Sequence, residues 1–271
     1  MVLHKFTMLT AVALSLGACA AVNAKAPSPA AQAAPAATSG DQVTEPNITG
    51  VWEIYPDPFA GDENTFLELP VPGDGPKLKE PYATQWKKLR DERDALIKAG
   101  TPRVDPSTQC LPEGMPMIMG AIFPLEILQT PGQITVLAEF LTQTRRIYLD
   151  KPMRALDDIN PSFYGFSSAK WEGDTLVVTT KGVKEDTRFF EIPHSREMVI
   201  TERMRLTGPD LMENVITIED PVMLEEPYTF TYGYRRNPEY EMMEYYCERT
   251  DPLFKVTEDG TVEMKTADEL E

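Results

Sequence analysis

Two histidines and three cysteines are all this chain offers for imidazole and thiol chemistry. A histidine-rich metal site is excluded by number alone, and no CxxC spacing marks a redox pair. A Gly-x-Ser-x-Gly elbow, a Walker A loop, a dinucleotide fingerprint and an EF-hand loop are all missing. No metal and no cofactor is therefore expected. Positive charge is also short: 26 Lys and Arg stand against 43 Asp and Glu, a formal charge of −17. With no long basic cluster, that balance argues against nucleic acid and against general attraction to anionic lipid.

What is present begins with a leader. His4 and Lys5 precede the apolar run Met8 to Leu16, which is too short to cross a bilayer and is laid out as a secretory signal over residues 1–24. Leu16-Gly17-Ala18-Cys19 resembles a lipobox, in which Cys19 becomes the lipidated first residue and Ala20 suits outer-membrane sorting. Val22-Asn23-Ala24 offers an ordinary cleavage site instead. Residues 25–47, rich in Ala, Pro and Ser, cannot bury enough apolar surface to fold and read as a linker. The expected product is exported to the periplasm, with a possible outer-membrane lipid anchor through Cys19.

From residue 48 the pattern turns to strands. Ile48 to Ile54 is the first, followed by an irregular Pro/Gly/Asp-rich excursion. Pro81 then opens a helix, Tyr82 to Ala99, with Tyr82, Trp86, Leu89 and Leu96 on one stripe and Gly100 at its end. Further strands are predicted at Leu125–Gln129, Gln133–Phe140 and Thr144–Leu149, and around the Gly173-Asp174 corner into Thr175–Thr180. Others follow at Glu197–Leu206, Leu211–Glu219, Tyr228–Arg235 and Tyr240–Cys247. Nine or ten strands with one substantial helix predict a mainly β fold over residues 48–251. Its form is an antiparallel up-and-down, lipocalin-like (calycin-type) barrel with the helix packed on it. Residues 252–271 read as an acidic tail.

Five segments carry a family resemblance: Leu125-Glu126-Ile127-Leu128-Gln129-Thr130-Pro131, Arg145-Arg146-Ile147-Tyr148-Leu149-Asp150, Trp171-Glu172-Gly173-Asp174-Thr175-Leu176, Thr217-Ile218-Glu219-Asp220-Pro221 and Glu244-Tyr245-Tyr246-Cys247-Glu248. Together they resemble a group of secreted, largely uncharacterised bacterial proteins of lipocalin-like character, of sphingomonad and acidobacterial type. Relatives carry Met-Gly-His-Ser or Met-Gly-Asp-Ser before the Trp-Glu-Gly-Asp strand. Here Tyr164-Gly165-Phe166-Ser167 stands in that place, so Phe166 replaces the polar residue.

Export makes Cys110 and Cys247 an even pair in an oxidising compartment, and a disulfide is expected between them; the competing reading is a reactive thiol. Among acid–base candidates, Glu202 stands where every second residue of its strand (Met198, Ile200, Met204, Leu206) is apolar. Glu139 alternates in the same way with Leu137 and Leu141, and Glu244 with Met242 and Tyr246. An unpaired inward carboxylate is costly, so partners are sought among Arg145, Arg146, Arg203 and Arg205. His194 is the one histidine left after export: a loop residue at the barrel rim, or a general base. Tyr148, Tyr164, Trp171 and Tyr232 could wall a pocket or simply fill the barrel. Three functions follow as expectations. The first is binding of a small apolar or aromatic molecule, oriented by Arg145, Arg146 and Glu244. The second is an isomerase, lyase or hydratase using Glu202, Glu139 or His194, and the third is an envelope structural lipoprotein.

Overall fold

The computed structural model describes residues 45–56, 71–100, 110–187 and 189–247, and two short strands beyond them. The expected signal, the lipobox Cys19 and nearly all of the linker lie outside the described residues, as does most of the acidic tail.

Nine strands close into a barrel in chain order: β1 (Gly50–Ile54), β2 (Leu125–Thr130), β3 (Gln133–Ala138), β4 (Gln143–Leu149), β5 (Phe166–Glu172), β6 (Thr175–Lys181), β7 (Val199–Gly208), β8 (Leu211–Glu219) and β9 (Tyr228–Arg236). Strand β9 returns to β1 through Trp52 opposite Arg236, which completes the ring. The fold is thus the mainly β, lipocalin-like barrel that the strand pattern predicts, with one α-helix among the described residues, α1 (Tyr82–Lys98). One pair departs from the up-and-down rule: β4 and β5 run parallel, joined by a crossover over residues 150–165. Within the tail, β10 (Phe254–Val256) pairs with β11 (Val262–Met264).

The expected strand at Tyr240–Cys247 does not form. Barrel closure by β1 and β9 leaves no edge for it to join. The segment is instead a strap running back along the barrel. It starts where the Asn237 amide donates to Val51 O (2.9 Å) and ends at Cys247, disulfide-bonded to Cys110 with Cα atoms 5.8 Å apart. That pairing is the expected one, and the Cα separation lies within disulfide reach.

The two ends of the barrel differ. At one, β2–β3, β5–β6 and β7–β8 are joined by short hairpins, two of which place Gly132 and Gly173 at φ 77° and 67°, where a side chain would be strained. At the other lie the long connections. There the segment Met115–Gly120, partly a 3₁₀ turn, tucks Met115, Ile118 and Met119 out of all solvent contact. Tyr234, inward-facing on β9, donates its hydroxyl to Met119 O at 2.7 Å, so this segment sits inside the barrel mouth. A Cβ on Gly120 would lie 2.5 Å from the Tyr232 ring. Gly120→Ala is expected to destabilise the fold by about 1–3 kcal/mol through overpacking, read as a lower midpoint in chemical denaturation.

Helix α1 begins after Pro81 and stops at Gly100 (φ 71°). It docks at this loop end through Tyr82, Ala83 and Trp86, whose indole N–H donates to Phe190 O at 3.0 Å, and through an Arg93–Glu191 ion pair at 3.3 Å. Leu96, expected on the docking stripe, is exposed, because only the first turns of the helix meet the core.

Candidate functional site

Alternation in β7 puts Ile200, Glu202 and Met204 inside and Val199, Thr201, Arg203 and Arg205 outside. Glu202 is fully buried, as its sequence pattern requires. Its partner comes from β4, where the same period turns Gln143, Arg145 and Ile147 inward. The Arg145 guanidinium grips both carboxylate oxygens, one at 3.1 Å and the other in a short contact. Asn214 of β8 adds its amide N–H to Glu202 Oε1 at 3.0 Å. The same guanidinium donates to Ser167 Oγ of β5 (3.2 Å) and Thr180 Oγ1 of β6 (3.1 Å), hydroxyls that are themselves 2.8 Å apart. Five successive strands, β4 to β8, are therefore tied through one buried ion pair. Arg145 Nε and Asn214 Oδ1 find no hydrogen-bond partner among the described residues.

Sequence reasoning named Glu202 and Arg145 but missed Asn214, Ser167 and Thr180. Asn214 carried a signal, because it breaks an apolar face between Met212 and Ile216 just as Glu202 does. Ser167 and Thr180 carried none, since small hydroxyl residues are ordinary in strands.

The other candidates disperse. Glu139, at the end of β3, accepts from the Tyr240 hydroxyl (3.0 and 2.9 Å) and the Met243 amide (2.9 Å), so its buried carboxylate fastens the strap. His194 is buried with Nε2 3.1 Å from Thr187 O and Nδ1 3.4 Å from Ser195 O. Glu202, Glu139 and His194 share no hydrogen-bond partner. Tyr164 donates to Gln143 Oε1 at 2.9 Å, and burial pushes both its phenol and that of Tyr232 well above the usual range. Trp171 packs half-buried on the core.

Arg146, Tyr148 and Glu244 depart from the sequence expectation. Arg146 is exposed, since it alternates with the inward Arg145, and Tyr148 shares its outer face. Glu244 is exposed because its segment is strap and not strand. Arg203 and Arg205 also face outward, where they pair with Glu172 (3.2 Å) and Glu213 (2.6 Å).

Neither described cavity is lined by Glu202. An apolar cavity of about 20 Å³ sits at the loop end, walled by Phe189, Ile192, Met198, Ile218, Leu224 and Tyr228, with His194 and Asp220 on its rim. Asp220 is committed structurally, accepting from the Ser195 amide (2.6 Å) and hydroxyl (2.9 Å) and the Val222 and Met223 amides (3.0 and 3.1 Å). A wider polar cleft of about 570 Å³ lies at the hairpin end, beside Asn47, Thr49, Gln129 and Asp150. Among the described residues no group of three or more His, Cys, Asp and Glu side chains gathers as for a metal ion.

No family model matches this sequence, and no curated protein does. Crystal structures of two mutants of the fluorescent protein UnaG share 19% and 20% identity with it. Each alignment covers 43% of this chain and 72% of the other at a TM-score of 0.26. The barrel assignment stands on the strand pairing described above.

Proposed function

We propose that this protein is an exported barrel of the secreted, lipocalin-like bacterial type that binds a small, largely apolar molecule at its loop end. The observation that carries this reading is the cavity under the long connections. Its walls are aromatic and aliphatic, and the polar groups at its rim are already hydrogen-bonded, which suits an apolar ligand. The buried centre of the barrel serves a different end: both oxygens of Glu202 are occupied by Arg145, which gives acid–base catalysis there no free carboxylate. About 20 Å³ holds roughly one water, whereas ligand pockets run to several hundred Å³, so binding requires the Phe189–His194 connection or the Met115–Gly120 segment to move. Export is supported by the leader pattern and by the Cys110–Cys247 bond, which an oxidising compartment favours. Lipidation at Cys19 would tether the barrel to the outer membrane.

Native mass spectrometry of protein purified from the periplasm of its own cells is expected to show a retained small-molecule mass. The purified protein should also enhance the fluorescence of the neutral dye Nile red. Ile192→Trp, which turns an indole into the cavity from a loop, should cut that signal severalfold while the melting curve stays cooperative. No retained mass together with no dye signal would sink the proposal.

A further inference from the structure

Four cations gather on one outer face of a chain whose formal charge is −17. Tyr148 of β4 and Phe166 of β5 stack there with ring centroids 5.4 Å apart. Lys151 Nζ lies 4.4 Å over the first ring and the Arg154 guanidinium 4.4 Å over the second. Two more come from the strands themselves. Lys181 of β6 is paired in register with Phe166, and Arg146 shares the outer face of β4 with Tyr148. Neighbouring strands lie roughly 5 Å apart, so Arg146 and Lys181 flank Phe166 in a row about 10 Å wide.

Elsewhere among the described residues most cations have carboxylates: Lys77, Lys87, Arg93, Lys170, Arg196, Arg203 and Arg205 all form ion pairs. Among the described residues, none of Arg146, Lys151, Arg154 and Lys181 does. Asp157, on the same crossover as Lys151 and Arg154, pairs with Arg196 instead. Four like charges held close with no carboxylate in ion-pair contact repel one another, and the two rings beneath offset only part of that through cation–π contact. A ligand that brings several anionic oxygens into a 10 Å patch relieves the repulsion.

We propose that this face is a binding site for a phosphate-bearing ligand, separate from the apolar cavity. Phosphoryl oxygens match guanidinium forks, and a multianion spans several cations at once. The net negative charge of the chain sets a selectivity: the patch is a local exception, so a compact multianion is favoured over an extended polyanion that would also meet the acidic surface.

The test is isothermal titration of the full-length protein with inorganic pyrophosphate at low salt, alongside flotation with vesicles of phosphatidylglycerol and, separately, of phosphatidylcholine. Arg146→Gln and Lys151→Gln sit on exposed positions and should leave the melting temperature unchanged. Each should weaken binding about fivefold, the weight of one cation near a phosphate-bearing surface. Binding of pyrophosphate that weakens in both variants supports the site with a free phosphate ligand. Flotation with phosphatidylglycerol alone, lost in both variants, supports it with a lipid headgroup as the source. If neither binds, or if binding is indifferent to both substitutions, the proposal is wrong; a result in either direction leaves the apolar-cavity reading to its own test.

Discussion

Glu202→Gln is expected to lower the stability of the barrel by about 3–5 kcal/mol, because it removes one partner of a fully buried ion pair and leaves Arg145 charged in a dry interior. The carboxamide can accept one hydrogen bond from Arg145 but turns its NH₂ toward a donor. Five strands feel the loss, since the guanidinium also holds Ser167 and Thr180, and Asn214 binds the same carboxylate. In a domain of this size the change corresponds to a melting temperature lower by roughly 6–20 °C. Arg145→Met should cost a similar amount by stranding the carboxylate. The pair Arg145→Met with Glu202→Leu should cost much less than the sum of the two, because replacing both charges by apolar groups restores a consistent core. Additive losses in that cycle would show that the two residues do not act as one unit. A variant of Glu202→Gln that keeps full stability would return Glu202 to the list of groups held for chemistry.

Breaking the Cys110–Cys247 bond should be nearly as costly. The bond closes a loop of 137 residues that contains almost the whole barrel, so the chain-entropy model assigns it roughly 5 kcal/mol as an upper figure. It also fixes the far end of the strap. Once the bond is broken, the polar contacts of residues 237–247 with the barrel include the Asn237 amide to Val51 O and its side chain to Glu53 (3.0 Å), Tyr240 and Met243 to Glu139, and the Thr142 hydroxyl to Tyr245 O at 2.8 Å. The aromatic contact of Tyr245 with Phe123 and Phe140 remains to hold it there. Cys247→Ser should therefore lower the urea midpoint strongly and make the strap protease-sensitive while the barrel still folds. Wild-type protein in reductant should match it. An unchanged midpoint under reduction would mean that the strap and the loop it closes carry no stability.

Alternation carried most of the fold. The strands around Leu125, Gln133, Gln143, Thr175, Val199, Leu211 and Tyr228 were legible because a half-buried strand must alternate, and the same rule gave the inward direction of Glu202. The acidic strap deceived that rule. Met242, Glu244 and Tyr246 alternate too, but alternation reports a face only where a neighbouring strand is available to pair, and β1 already occupied the edge of β9.

The sequence by itself determined the barrel's strand count to within one, the docked helix, the cysteine pairing and the burial of Glu202, all of which follow from local period, composition or parity. Only the tertiary structure decided which arginine meets Glu202. Arg145 and Arg146 are adjacent, and one residue of register sends one into the core and the other to the exterior. The parallel β4–β5 pairing, the filled mouth at Met115–Gly120 and the row of cations beside Phe166 belong to the same class. Each arises from contacts between segments far apart in the chain, whose meeting is fixed by how the barrel closes and not by any pattern within the segments themselves.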